Sequence, residues 1–114
     1  MSVKLTTRQV GDVTVIDAVG RITLGEGSST FRDSVKELVT KGNKKILMNL
    51  AEVSYIDSSG IGELVSGFTT VSNAGGNLKL LKLTKRIQDL LQITKLYTIF
   101  EVFDDEAAAR ASFQ

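Results

Sequence analysis

The sequence contains no cysteine, no histidine and no proline. Without cysteine the chain cannot form a disulfide, supply a thiolate nucleophile or build a cysteine-based metal site. Without histidine it lacks the usual general base near neutral pH and the commonest metal ligand, and a serine–histidine–aspartate triad cannot be assembled from this chain alone. These absences exclude the most familiar hydrolytic and metal-dependent sites, so we expect a protein that is not an enzyme and uses no cofactor or metal.

Neither sign of charge is in excess, because 14 basic residues stand against 13 acidic ones and the net charge is +1. Such a balance does not favour direct binding of nucleic acid or of an anionic membrane surface. The N-terminal residues alternate between polar and apolar, unlike a signal peptide, and no apolar run approaches the roughly 20 residues that a membrane span needs. We therefore expect a soluble cytoplasmic protein with no membrane insertion.

The length of 114 residues and the hydrophobic fraction of 42% fit one domain, covering residues 1–114, with a substantial core. Apolar and polar residues alternate over residues 3–7 and again over residues 13–19, with Gly11 and Asp12 between them. This pattern predicts two strands joined as a hairpin, with Gly20 ending the second strand.

A glycine-rich loop is predicted next, over residues 20–28, followed by a helix capped by a hydroxyl side chain from residues 28–30. The helix presents Phe31, Val35, Leu38 and Val39 on one face and ends before Gly42. The glycines of the predicted loop over residues 20–28 do not follow the spacing of a phosphate-binding loop. A nearly continuous apolar run from Lys45 to Leu50 then predicts a central strand.

The remaining pattern predicts a second helix that begins near Ser58 or Ser59, a strand over residues 78–81, and a short helix capped by Thr84. A last strand is predicted over residues 98–103, and a final helix is predicted to be capped by Asp104. The order is β-β-α-β-α-β-α-β-α, which indicates an α/β fold with a mixed sheet and helices packed on it. A basic group within residues 79–86 is interpreted as a solvated face.

The segment Asp57–Gly62 reads Asp-Ser-Ser-Gly-Ile-Gly and stands where a strand is predicted to meet a helix. The first backbone N–H groups of a helix have no partner within it, so a carboxylate or a phosphate is favoured there. A simple helix cap needs only one such polar residue, and each glycine in the first turn costs roughly 1 kcal/mol relative to alanine. We interpret the small residues as leaving this helix start accessible to a binding partner.

Together with Tyr55 and Ile56 before it, this segment resembles the signature of the STAS domain, specifically of the bacterial anti-sigma factor antagonists. The resemblance extends across essentially the whole chain and implies a single STAS-like domain. Similar residues stand at the corresponding family positions elsewhere: Gly20, Leu50, Val53, Ser54, Gly75, Gly76 and residues 91–96.

The resemblance implies a phosphorylation switch. In the family, an anti-sigma factor that is also a serine kinase phosphorylates the serine after the motif aspartate, which is Ser58 here. The unphosphorylated form binds the anti-sigma factor and frees a sigma factor for transcription, and a serine phosphatase resets the switch. The residues expected to contact the partner are Asp57, Ser58, Ser59, Gly60, Ile61, Gly62 and Thr23.

Two positions depart from the family pattern, since Thr23 replaces a frequent acidic residue and Lys95 replaces a frequent glycine. Two other functions stay open. The chain could be a STAS accessory subunit of a membrane transport complex for lipids or solutes, binding its ATPase without a phosphorylation switch. It could also be a nucleotide-binding module, although it has no phosphate loop. The intact Asp57–Gly60 segment favours the anti-sigma factor antagonist.

Overall fold

The computed structural model describes residues 3–23 and 26–113, with residues 26–29 described as backbone only. It confirms the predicted α/β fold and the order of its elements. The five strands lie in the order β1-β2-β3-β4-β5; β1 is antiparallel to β2, and the other neighbours are parallel. The elements are β1 (Val3–Val10), β2 (Val13–Ile22), α1 (Glu26–Thr40), β3 (Lys45–Ile56), α2 (Ser58–Asn73), β4 (Asn77–Leu81), α3 (Lys85–Ile93), β5 (Val102–Phe103) and α4 (Glu106–Ala111).

The hairpin of β1 and β2 forms as predicted, with Gly11 at a φ of 64° in its turn. The prediction that Gly20 ends β2 is wrong, because β2 continues to Ile22. Gly20 has a φ of 113°, and the pairing of β2 with β3 shifts by one residue between Gly20 and Arg21. Glycine adopts this backbone at little steric cost, so here it marks an irregularity within the strand and not its end.

The predicted glycine-rich loop is much shorter than residues 20–28, because α1 already begins at Glu26. Residues 28–30 therefore lie inside the helix, and the prediction that one of them caps it is wrong. A glycine such as Gly27 costs a helix only about 1 kcal/mol, which does not prevent the helix from including it. Gly25, which was also assigned to the loop, lies outside the described residues.

The C-terminal part differs from the prediction in two places. The last strand covers only Val102 and Phe103, because the chain before it turns inward. Phe100 is buried in the core and meets Phe68 edge to face, with 5.4 Å between ring centroids. The final helix is capped by Asp105 and not by Asp104, since an Asp105 carboxylate oxygen accepts a hydrogen bond from the Ala108 N–H at 2.9 Å.

The sheet is packed on both faces. The larger core joins one face to α1, α2 and α3, through side chains such as Phe31, Leu64 and Ile87. A smaller core on the other face is covered by the C-terminal segment and contains Val13, Val15, Leu47, Leu81, Ala109 and Phe113. Within the part of the chain that the structure describes, no helix combines the length and apolar character required to cross a membrane.

The parallel pairing of β2 with β3 positions the motif. Ile22 pairs with Ile56, so both strands end at the same edge of the sheet. Thr23 follows one of these strands, and Asp57 follows the other and leads directly into α2. Residues that are more than 30 positions apart in the sequence are thereby neighbours.

Candidate functional site

Asp57 is the N-cap of α2. Its backbone is extended, with φ −111° and ψ −175°, and its Oδ1 accepts a hydrogen bond from the Gly60 N–H at 2.9 Å. This bond satisfies one of the N–H groups that a helix start leaves without a partner. The Asp57 N–H in turn donates to the Ile22 carbonyl oxygen at 3.4 Å. Asp57 therefore caps α2, as expected for a carboxylate at the start of a helix.

Ser58 is the first residue of α2 and is exposed, whereas Ser59 beside it is half-buried. Among the described residues, no side chain or carbonyl forms a hydrogen bond with the Ser58 hydroxyl. A kinase or a partner protein could therefore reach this hydroxyl without breaking an existing contact.

Gly60 is small for a different reason from the one predicted. It is buried, and a Cβ at this position would overlap the Ile22 carbonyl oxygen and lie 2.6 Å from Cγ1 of Ile56. The interpretation of Gly60 as a residue that opens the surface is wrong, because glycine here lets α2 pack against the end of β2. Ile61 is also turned inward, with 1% of its surface exposed, and belongs to the larger core.

Gly62 fits the prediction of an open surface. It is exposed, and nothing lies within 4 Å of a Cβ built on it. Thr23, at the end of β2, is half-buried. The accessible part of the predicted set thus consists of Ser58 and Gly62, with partial exposure of Asp57, Ser59 and Thr23.

Glu63, next in the chain, joins α2 to α1. The Arg32 guanidinium donates to both Glu63 carboxylate oxygens, at 3.2 and 3.0 Å. This hydrogen bond and the attraction of the Glu63 charge raise the pKa of Arg32. The pair connects the second turn of α2 to α1.

An aromatic and cationic group that was not predicted from the sequence lies beside the motif. The guanidinium carbons of Arg21 and Arg86 lie 4.7 and 4.1 Å from the centroid of the Tyr55 ring. Arg86 Nε also donates to the Ile56 carbonyl oxygen at 2.8 Å. Tyr55 was noted as part of the motif, but nothing local in the sequence indicated that two arginines would stack on it.

The basic group within residues 79–86 is consequently not a uniform solvated face. Lys79 is 5% exposed, and its ammonium donates to the carbonyl and hydroxyl oxygens of Ser112 at 3.0 and 2.9 Å. It also lies 4.7 Å from the centroid of the Phe113 ring. Lys79 therefore holds the C-terminal segment against the sheet, while Arg86 supports the motif.

The comparisons with known proteins agree with this geometry. The family model of the STAS domain matches residues 4–109, which include the segment Asp57–Gly62. The anti-sigma-B factor antagonist of Bacillus subtilis is 29% identical over 102 residues, or 90% of this chain and 92% of that protein. A Thermotoga neapolitana protein, assigned as a homologue of an anti-sigma factor antagonist, is 35% identical over 78 residues, or 68% of this chain and 69% of that protein. The crystal structure of a Thermotoga maritima protein assigned as an anti-sigma factor antagonist superposes with a TM-score of 0.87 at 25% identity, covering 96% of this chain and 93% of that one.

Proposed function

The chain belongs to the STAS domain family, and from this we propose that it is an anti-sigma factor antagonist that acts by binding and not by catalysis. Its partner is an anti-sigma factor with serine kinase activity in the bacterial cytoplasm. Binding occupies the anti-sigma factor and leaves a sigma factor free for transcription. Phosphorylation of Ser58 by this partner ends the binding, and a serine phosphatase restores it.

The observation that carries this proposal is the position of Ser58. Its hydroxyl is exposed at the start of α2, directly after the Asp57 cap. The neighbouring Gly62 leaves the same end of the helix open, so a partner surface can approach closely. The partly exposed Asp57, Ser59 and Thr23 complete the proposed contact surface, whereas Gly60 and Ile61 shape it from inside.

The physical effect of phosphorylation differs between the free protein and the complex. A phosphoserine adds about −1.5 to −2 charges at neutral pH. The start of a helix favours negative charge, so the fold tolerates the phosphate. Inside a protein interface the same group must be desolvated and collides with partner atoms. Phosphorylation is therefore expected to weaken binding while leaving the fold intact.

We predict that Ser58→Asp weakens the partner complex about a hundredfold, equivalent to about 2.8 kcal/mol, while Ser58→Ala binds nearly as well as wild type. The partner is first captured from a lysate of the source organism with wild-type protein and the two Ser58 variants as parallel baits, identified by mass spectrometry and purified. Dissociation constants of all variants are then measured by calorimetry.

The matched control is Ser66→Asp, because Ser66 is also an exposed serine of α2 but lies away from its start. This variant should bind like wild type. Equal dissociation constants for Ser58→Asp and Ser58→Ala would reject the switch. Recovery of transporter subunits in equal amount by both Ser58 variants would instead support the role of a transport accessory subunit.

A further inference from the structure

The chain has five arginines, and the structure divides them into two groups. Arg8, Arg32 and Arg110 each form an ion pair with a carboxylate. Within the described residues, Arg21 and Arg86 form no ion pair, and both stack on the ring of Tyr55. Two cations that have no carboxylate partner among the described residues therefore both contact one aromatic ring.

Stacking fixes these cations in place. A guanidinium over an aromatic face gains cation–π attraction and loses much of its rotational freedom. Arg86 is held further by its hydrogen bond to the Ile56 carbonyl, which uses only Nε. Among the described residues, none accepts a hydrogen bond from the η nitrogens of Arg21 or Arg86, so these N–H groups can donate to another acceptor. Such a fork of N–H donors matches the oxygens of a phosphate or a carboxylate.

The pair lies beside the start of α2. Ile56, which accepts the hydrogen bond from Arg86, stands two residues before Ser58, and Arg21 precedes Ile22, whose carbonyl accepts from the Asp57 N–H. Because successive Cα atoms are about 3.8 Å apart, Arg86 Nε lies within roughly 10 Å of the Ser58 Cα. Phosphoserine oxygens extend about 5 Å from Cα, η nitrogens reach about 2 Å beyond Nε, and a hydrogen bond spans about 3 Å more. When the two side chains extend toward each other, the phosphate therefore comes within hydrogen-bond distance of the Arg86 guanidinium.

We propose that Arg21 and Arg86 bind the phosphate on Ser58 within the same chain. This inference rests on the proposed function, because it requires that Ser58 be phosphorylated. A phosphate of −1.5 to −2 charges matches two cations more closely than the single carboxylate of a partner side chain would. Phosphorylation then neutralises the pair and holds the phosphate in one orientation at the surface that the partner uses.

The test uses the full chain with phosphoserine installed at position 58 during translation, labelled with ¹⁵N. The arginine Nε–Hε resonances are assigned by substitution and compared with those of the unmodified chain. The resonances of Arg21 and Arg86 should shift on phosphorylation, whereas that of Arg32, paired with Glu63, should stay in place. No shift at Arg21 or Arg86 would overturn the proposal.

A second readout is the pKa of the phosphate, followed by ³¹P NMR. The charged groups to consider are Asp57, which precedes Ser58, the stacked Arg21 and Arg86, Lys85 next to Arg86 in sequence, and Glu63, which is on the same helix and pairs with Arg32. Binding by the two arginines should lower the second phosphate pKa, normally near 6, by about half a unit or more. The double variant Arg21→Gln/Arg86→Gln should restore the ordinary value.

Lys85→Gln is the matched control, because Lys85 is an exposed cation adjacent to Arg86 in sequence and pairs with Asp89 at 3.3 Å. It should leave the phosphate pKa unchanged. An equal pKa in the wild-type chain and the double variant, or an equal rise in Lys85→Gln, would refute specific binding.

Arg86→Lys keeps the charge and serves as a second variant if Arg86→Gln unfolds. The NMR test uses installed phosphoserine and needs no kinase, so its failure leaves the partner-binding test with the Ser58 variants unaffected. Failure of the partner-binding test likewise does not change the NMR result.

Discussion

Gly60 and Gly62 lie two residues apart in the first turns of α2, but their surroundings are opposite. Gly60 is pressed against the Ile22 carbonyl and the Ile56 side chain, while the space around Gly62 is open. From the sequence alone, both glycines would be expected to destabilise the helix equally relative to alanine. Only the packing of α2 on the end of β2 distinguishes them, so the two residues provide a matched pair of substitutions.

We predict that Gly60→Ala lowers the free energy of unfolding by about 3 kcal/mol, because its methyl group overlaps backbone that cannot move aside. Gly62→Ala should be neutral or more stable by up to about 1 kcal/mol, since alanine favours a helix and meets no neighbour. Urea denaturation of both variants at constant m-value measures the difference. Equal midpoints would contradict the packing described for Gly60.

Lys95 adopts a backbone conformation that glycine normally takes at the end of a helix. Its φ is 60°, in the region where glycine is cheapest, and its N–H donates to the Gln92 carbonyl at 3.1 Å while that of Leu96 reaches the Leu91 carbonyl at 2.9 Å. These bonds close the end of α3 in the manner usual for a residue with positive φ. The lysine that departs from the family pattern therefore keeps the turn that a glycine would make.

At the scale of elements, α4 is attached to the sheet by ion pairs as well as by apolar packing. Arg8 of β1 donates to Asp17 of β2 at 2.6 Å and to Glu106 of α4 at 2.7 Å. These hydrogen bonds lower the pKa of Asp17 and of Glu106, although partial burial opposes the change in both. The same bonds, first to Glu106 and then to Asp17, raise the pKa of Arg8.

The sign of the resulting pH dependence follows from the lowered carboxyl pKa values. Unfolded aspartate and glutamate titrate near pH 3.9 and 4.3, so the stabilisation is fully present above these values and is lost as pH falls through the lower folded ones. We predict that Arg8→Gln lowers the free energy of unfolding by about 1 kcal/mol at pH 7, a modest value because solvent screens these partly exposed groups. The difference from wild type should shrink between pH 5 and pH 3.

Urea denaturation at pH 7, 5 and 3.5 measures this difference. The control is Lys41→Gln, which removes an exposed cation 3.6 Å from Glu37 on the surface of α1 and should have little effect at any pH. A loss in Arg8→Gln that stays constant over the whole range would show that Arg8 acts through packing and not through its carboxylate partners.

At the scale of the whole molecule, the sheet couples two cores of unequal size. Leu47 is fully buried in the smaller core, directly beside Ile46 and Met48, which face the larger one. Because alternate residues of β3 serve both cores, damage to the smaller core is transmitted to the central strand. We infer that the two cores unfold together.

We predict that Leu47→Ala lowers the free energy of unfolding by about 3 kcal/mol within a single transition. Val19→Ala is the control, since Val19 lies on the neighbouring β2 with 47% of its surface exposed and should cost less than about 1 kcal/mol. Circular dichroism and the NMR signals of α2 should report the same midpoint for Leu47→Ala. Separate midpoints would show that the smaller core unfolds independently.

The sequence by itself determined the element order, the hairpin, the caps at Asp57 and Thr84 and the absence of cysteine and histidine chemistry. These features depend on apolar spacing and on hydrogen bonds that span a few residues, such as the 3.3 Å bond from the Ile87 N–H to the Thr84 hydroxyl. The resemblance of the motif to the STAS family was also readable from it, and so was the choice of Ser58 as the residue to test.

Only the tertiary structure decided why Gly60 must be small, why β5 is short and why Arg21 and Arg86 share the ring of Tyr55. Each of these depends on atoms that are distant in the sequence, as in the hydrogen bond from Arg86 to Ile56, which are 30 residues apart. Local patterns do not contain such contacts, because parallel strands and the packing of helices on the sheet first bring the residues together. For the same reason, exposed Ser58 was separable from buried Ile61 only once α2 was packed against the sheet.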